Sequence, residues 1–287
     1  MREMSVTTPV LEVIRAAAGQ LSPSERRVAE VVARDPEAVA FGTVAEVAKK
    51  AGTSGPTVVR LADRLGYAGF VGLQARVRDE LAHRLRPAVQ RIRSQPGGPL
   101  VERVLEAELD NVRHTLGALD DGRFERAVEL LGDADRRLWV LASEQTRALG
   151  LQLANELALL RDGVGVLGGS EFGVVTRLAA LSKGDVVVVI DLRRHERWLV
   201  SAAALAARRG ATRIAVTDSE LSPLCDGAAC ALVVSAAAAG PFDSQVGMLA
   251  LFNALVGGVA ARHRRRVARR IEALERIWGE SGVLLEG

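Results

Sequence analysis

The chain is 287 residues long, 48% hydrophobic, 25% charged and 3% aromatic, an ordinary globular composition that excludes wholesale disorder and collagen-like repeats and fits two domains. Two cysteines, Cys225 and Cys230, cannot build a disulfide-stapled secreted scaffold, and 4 histidines argue against a dense Cys/His metal cluster. Net charge is only +3, yet residues 1–93 hold 15 Lys/Arg against 10 Asp/Glu and the remainder 23 against 25, so a polyanion partner is expected for the front of the chain.

In chain order, the front reads as helix after helix, with starts marked by cap chemistry. Ser22-Pro23-Ser24-Glu25 puts a serine at the N-cap, proline at the first helical position and glutamate at the third, a capping box opening a helix through Arg26 to Arg34. Thr43-Val44-Ala45-Glu46 repeats the box for a short helix ending at Gly52. Thr53-Ser54-Gly55-Pro56 starts another, with Ser54 as cap, that closes at Gly66. Thr43 to Gly66 is thus helix, tight turn, helix. On the second helix Val58, Leu61 and Leu65 recur at i, i+3, i+7 and are expected inside; Thr57, Arg60 and Arg64 share another face and are expected in solvent. A hydroxyl and two guanidiniums on one stripe suit major-groove bases and phosphates, with Lys49, Lys50, Arg76 and Arg78 as further candidates for phosphate contact. A small bundle with a merely solvated charged face is the alternative.

Ser94-Gln-Pro-Gly-Gly-Pro99 has linker composition. A helical pattern, Val101 to Leu119, follows, and then the rhythm changes. Short β-rich runs at Leu138–Leu141, Gly163–Leu167, Val186–Ile190, Arg213–Thr217 and Ala231–Val234 alternate with apolar-periodic segments near 146–160, 172–181, 197–208 and 221–228, with a last one from about 244 to 278. Continuous Val/Ile/Leu runs are buried on both faces, so a doubly wound layer of five parallel strands is predicted.

Ligands of such sheets sit at the carboxyl ends of strands, near helix N-termini. The first strand runs into Ala142-Ser143-Glu144-Gln145-Thr146-Arg147, where Ser143, Gln145 and Thr146 offer hydroxyls and an amide to a phosphate, aided by Arg147. The third runs into Asp191-Leu192-Arg193-Arg194-His195-Glu196, whose paired arginines suit bidentate anion recognition. Plain βα turns, with Arg193 and Arg194 in a solvated loop or paired to Asp191 and Glu196, are the alternative. Ser244 contacts a ligand from the start of the last long helix, or Asp243 or Ser244 simply caps that helix. The basic runs Arg262–Arg266 and Arg269–Arg270 read as solvated rather than DNA-facing, and Cys225 and Cys230 as packing residues rather than a redox pair. No secretory h-region follows Met1, and the longest apolar run, Val246 to Ala261, is shorter than the roughly 20 residues that cross a bilayer. A cytoplasmic protein is expected.

Leu21-Ser-Pro-Ser-Glu-Arg-Arg-Val-Ala29, Val44-Ala-Glu-Val-Ala-Lys-Lys-Ala-Gly-Thr-Ser54 and Thr57-Val-Val-Arg-Leu-Ala-Asp-Arg-Leu-Gly-Tyr-Ala-Gly-Phe70 resemble the N-terminal domain of RpiR-type transcriptional regulators over roughly residues 10–85. The resemblance implies that Ser54, Thr57 and Arg60 face DNA. It extends to Lys183-Gly-Asp-Val-Val-Val-Val-Ile190, Ala206 to Ser219 and Leu221-Ser-Pro-Leu224, which look like the SIS (sugar isomerase) domain, a five-stranded parallel αβα sandwich that binds sugar phosphates. There are departures. Ala142 and Glu144 stand where a Gly-x-Gly-x-Ser-like turn is usual, and Asp191 to Glu196 replaces Ser-x-Ser-Gly-x-Thr, so a standard phosphate cup is not expected.

The expected fold class is α plus α/β: an all-helical helix-turn-helix domain at 1–93, a linker at 94–100, and a SIS-like sandwich at 101–287 for ligand binding and oligomerisation. The expected function is a sequence-specific DNA-binding transcriptional regulator whose SIS-like domain senses a phosphorylated sugar or related metabolite. It would work as a homodimer or homotetramer on an inverted-repeat operator, with no cofactor, metal or membrane partner. The alternatives are a sugar-phosphate isomerase with Glu144, Glu171 or His195 as base, or a SIS-like domain that only mediates assembly. The turn after the first strand lacks the Gly-x-Gly-x-x-Gly of a nicotinamide-dependent dehydrogenase.

Overall fold

The computed structural model describes residues 10–85, 88–93, 97–220 and 222–283. The chain divides into two compact units, residues 1–87 and 88–287, each with its own apolar core.

The first unit is helical: α1 (Val10–Ala17), α2 (Pro23–Arg34), α3 (Pro36–Phe41), α4 (Val44–Lys50), α5 (Gly55–Arg64) and α6 (Gly69–Leu85). Both expected capping boxes form. Ser22 Oγ accepts the Glu25 N–H at 3.3 Å while the Glu25 carboxylate accepts the Ser22 N–H at 2.8 Å; the pair Thr43 and Glu46 does the same at 3.3 and 2.7 Å. Val28, Val39, Val47, Val58, Leu61 and Leu73 lie fully inside. Burying side chains of this kind stabilises by roughly 1.5–3 kcal/mol each, the main term holding so small a bundle together.

The second unit opens with α7 (Ala88–Arg93), α8 (Leu100–Gly117) and α9 (Asp121–Gly132). Linker composition places the break at 94–100; the structure places α7 with the second unit, because Arg91 is tied there to Asp243 at 2.7 Å. Of that linker, 94–96 lies outside the described residues. β1 (Leu138–Ala142), β2 (Val164–Val166), β3 (Val186–Ile190), β4 (Thr212–Thr217) and β5 (Cys230–Val233) form one all-parallel sheet of order β2-β1-β3-β4-β5. This is the five-strand doubly wound layer that the sequence predicts. α10 (Arg147–Leu160), α11 (Glu171–Ala179), α12 (Arg197–Arg208), α13 (Val246–Arg262) and α14 (Arg264–Ser281) complete the unit.

The two sheet faces carry separate cores. Alternate strand residues Val186, Val188 and Ile190 face α9, α10 and α13, while Val187 and Val189 face α11 and α12. Gly150 lets α10 lie against β1, since a Cβ there would stand 2.9 Å from that of Ala142.

Three expectations are corrected. The segment 222–228 is turns rather than helix: Gly227 sits at φ +65°, and the buried Arg213 guanidinium takes the Leu224 and Asp226 carbonyls that a helix would use internally. The long C-terminal pattern splits at His263, where α13 and α14 meet at 103°. There the imidazole packs on Gly132, and burial pushes its pKa below the ordinary value. Helix α9, capped by Asp120 accepting the Arg123 N–H at 2.8 Å, has no counterpart in the predicted elements. Among the described residues no single helix is long and apolar enough to cross a membrane. α13 instead buries Met248, Leu251, Phe252, Leu255 and Val259.

Candidate functional site

In the first unit α4 and α5 meet through a tight turn with Gly52 at φ +57°, a left-handed position that glycine fills without strain. Arg27 reaches from α2 to the Ala51 and Gly52 carbonyls at 3.2 and 3.4 Å and fixes the turn. Val58, Leu61 and Leu65 are buried as their spacing predicts, which turns the opposite side of α5 outward. Arg60, Ser54, Val59 and Lys49 are exposed there.

Thr57 is not in solvent; it is 4% exposed. The first turn of α5 lies against α4, with the Gly55 backbone near Val44, and this encloses position 57. The Thr57 hydroxyl is 3.0 Å from Ser54 Oγ and accepts from Arg60 Nη2 at 3.1 Å. It orients the arginine instead of presenting itself.

Other expected phosphate contacts also bond within the unit. Arg64 Nε donates to the buried Glu25 at 3.1 Å, and Lys50 pairs with Asp35. Arg76 pairs with Asp79 and Glu80 at 3.5 and 3.3 Å, and Arg78 donates to the Ala40 carbonyl. The Glu25 carboxyl is held below its ordinary range, first by the Ser22 amide, then by the Ser22 hydroxyl and Arg64, against the opposing effect of burial.

In the second unit the strand order reverses between β1 and β3, the switch point where open parallel sheets bind ligands. Both loops singled out in the sequence flank it. Their side chains are committed differently from the expectation. Ser143 and Thr146 are fully buried: Thr146 Oγ1 donates to the Ile190 carbonyl at 3.0 Å, so the Ser143 hydroxyl donates to Thr146, also at 3.0 Å. They lace β1 to β3 and present no hydroxyl to a phosphate. Gln145 is exposed, and its backbone carbonyl accepts from the Gln245 side-chain amide at 2.8 Å. Glu144 pairs with Arg147 at 2.7 Å, and its N–H donates to Glu196 at 3.0 Å.

Arg193 does not pair with Asp191 or Glu196. Its Nε and Nη2 grip Asp243 at 2.9 and 2.6 Å, and Asp218 lies 4.0 Å away. Arg194 is exposed at φ +65°, a left-handed conformation rare for a residue with a Cβ. Ser244 caps α13 by accepting the Val246 N–H at 3.1 Å and donates its own proton to Glu108. The partners Asp218, Asp243 and Glu108 carry no sequence signal for these roles, apart from the placement of Asp243 at the start of α13.

His195 bridges Asp191, 3.2 Å from Nδ1, and Ser222, 2.9 Å from Nε2. This has the connectivity of a nucleophilic relay. Ser222 is buried, however, and its oxygen also accepts the Leu224 N–H at 3.3 Å. The chain of bonds is a clasp between the loops after β3 and β4.

Several basic residues near the C-terminus hold α13 and α14 to their neighbours: on α13 Arg262 pairs with Glu125 at 2.9 Å, and on α14 Arg270 pairs with Asp162 at 2.8 Å and Arg266 donates to the Gly132 carbonyl at 2.6 Å. Cys225 and Cys230 are free thiols whose pKa values burial pushes up to about 11.

Residues 8–84 match the model of the helix-turn-helix domain of the rpiR family, and residues 131–257 match the SIS domain. The chain is 31% identical over 218 residues to the HTH-type transcriptional regulator HexR of Escherichia coli, covering 73% of this chain and 72% of that protein. It is 28% identical over 226 residues to HexR of Pseudomonas aeruginosa, covering 75% of each. Among solved structures, the sugar isomerase domain of an RpiR transcription factor from Sphaerobacter thermophilus superposes with a TM-score of 0.56 at 30% identity, covering 62% of this chain and 98% of that one. Vibrio vulnificus NanR complexed with ManNAc-6P superposes with a TM-score of 0.58 at 20% identity, covering 96% and 100%, a likeness of fold. With a helix-turn-helix unit ahead of a SIS-type sheet, and relatives of this kind over most of its length, the chain belongs to the rpiR family of HTH-type transcriptional regulators.

Proposed function

We propose that the outward side of α5 reads operator DNA, with Arg60 as the base-reading side chain, Thr57 as the group that aims it, and Ser54, Lys49, Lys50 and Arg64 along the phosphates. A homodimer or homotetramer would set two such helices about one helical turn apart on an inverted repeat in the cytoplasm. The effector, a phosphorylated sugar or related metabolite, is read at the β1/β3 switch point by Arg193 and Arg194, with Gln145 beside them; Ser143, Thr146 and Ser244 support this site from behind. The HexR relatives support the regulator reading, and NanR carrying ManNAc-6P supports the effector class. Relatives named as transcriptional regulators favour a non-enzymatic role, and of the candidate bases Glu144 is paired with Arg147 and His195 is bonded at both nitrogens.

The observation that carries the proposal is the coincidence of the arginine loop with the reversal of strand order. The test is operator affinity, on a site selected from a random DNA pool, with and without a panel of sugar phosphates. A coupling of about 1–3 kcal/mol, a change of several-fold or more, is expected for one of them. No response to any compound removes the effector; no selected site removes the DNA reading.

A further inference from the structure

Asp243 is the centre of a charged cluster that joins the arginine loop to the first helix of the second unit. Its Oδ1 accepts from Arg193 Nη2 at 2.6 Å and from Arg91 Nη1 at 2.7 Å, and its Oδ2 accepts from Arg193 Nε at 2.9 Å. The side chains are largely buried, 17% exposed for each arginine and 11% for the aspartate, so these are not loose surface pairs. Arg91 lies on α7, which follows directly in the chain on the helix-turn-helix unit ending at residue 87.

Around this cluster the loop after β5 is pinned. Asn111, fully buried on α8, accepts from Ser235 Oγ and the Ala237 N–H, each at 2.9 Å, and Thr115 accepts the Ser235 N–H at 2.9 Å. Ser244 is held by Glu108. With both ends of the loop fixed, a change of partner at the Asp243 carboxylate needs only side-chain rotation and no loop rebuilding.

The fork that Arg193 presents to Asp243 is the one a phosphoryl group takes, two oxygens side by side on Nε and Nη2. An anion arriving at the switch point therefore competes with Asp243 for one guanidinium. We infer that Arg193, Asp243 and Arg91 form an exchange relay: a phosphate-bearing effector displaces Asp243 from Arg193, the carboxylate turns away, and Arg91 and α7 lose their anchor. The inference rests on the reading of this edge as the effector site. It assigns to Arg91 and Asp243 the step by which occupancy reaches the segment leading to the DNA-reading unit.

Trypsin cleavage after the exposed Arg93 in the full chain reports the anchor without any operator. Asp243→Asn should be cut there roughly tenfold faster than the unsubstituted protein, because local opening governs such cleavage. Arg91→Gln should show the same rise and still bind inorganic phosphate by calorimetry. Phosphate titrated into the unsubstituted protein should raise cleavage toward the Asp243→Asn level, and Arg193→Gln should abolish that rise. If both Asp243→Asn and Arg91→Gln are cut at the original rate, with unchanged circular dichroism, Asp243 does not anchor α7 and the relay is wrong. If those variants open the segment but phosphate neither binds nor accelerates cleavage, the relay's exchange step and the effector site at Arg193 fall together. If phosphate binds through Arg193 without accelerating cleavage, the site stands and the exchange alone is overturned.

Discussion

Replacing Thr57 by valine keeps the volume of a side chain that is 4% exposed and removes only its hydroxyl. That hydroxyl makes two bonds, to Ser54 Oγ at 3.0 Å and from Arg60 Nη2 at 3.1 Å. Ser54 is exposed and regains water, so the fold should change by less than about 1 kcal/mol. Arg60 loses the group that fixes its direction. A buried hydrogen bond to a charged group is worth about 1.5–3 kcal/mol, and partial exposure of the guanidinium brings this to about 1 kcal/mol. Operator binding should therefore weaken about fivefold for Thr57→Val, against a loss of roughly 1–3 kcal/mol for Arg60→Ala, which removes the base contact itself. The assay is fluorescence anisotropy on the selected operator for both single variants and the double. Because the hydroxyl acts through the arginine, Thr57→Val should cost nothing more once Arg60 is alanine. Additive losses would mean that Thr57 acts on DNA independently of Arg60, and the orienting role would be refuted.

Stability should fall as the solution is acidified. Glu25, Asp35 and Glu46 have folded pKa values below their ordinary ones, so their contribution is complete above the unfolded values near 4 and is lost as pH drops through the folded ones. His263, pushed below 6.5 by burial, adds a loss of the same sign that begins near its ordinary value. Glu25→Gln should flatten the carboxyl part of a melting-temperature profile, and an unchanged slope would contradict it. Gly150→Ala brings a methyl to 2.9 Å from the Ala142 Cβ and should cost roughly 1–3 kcal/mol by forcing α10 off β1, read from a denaturant melt. Cys230, buried and with a pKa near 11, should react with a disulfide reagent at neutral pH only as the unit unfolds; its rapid labelling would contradict its burial. A fluorophosphonate should leave Ser222 unmodified, whereas covalent capture would show its hydroxyl to be a nucleophile rather than a clasp.

Local chemistry in the sequence sufficed for the capping boxes at Ser22 and Thr43, the turn at Gly52, the buried stripe of α5 and the five strands. Each depends on residues within a turn or two of one another, or on a run hydrophobic enough to be buried on both faces. The two loops at the switch point were legible for the same reason. What their side chains do was decided by tertiary structure. Thr57 is enclosed because α5 lies against α4; Ser143 and Thr146 are spent on the Ile190 carbonyl of a neighbouring strand; Arg193 faces an aspartate 50 residues away rather than one beside it. A polar side chain is satisfied by whatever partner packing brings within about 3 Å, and no spacing along the chain records that partner.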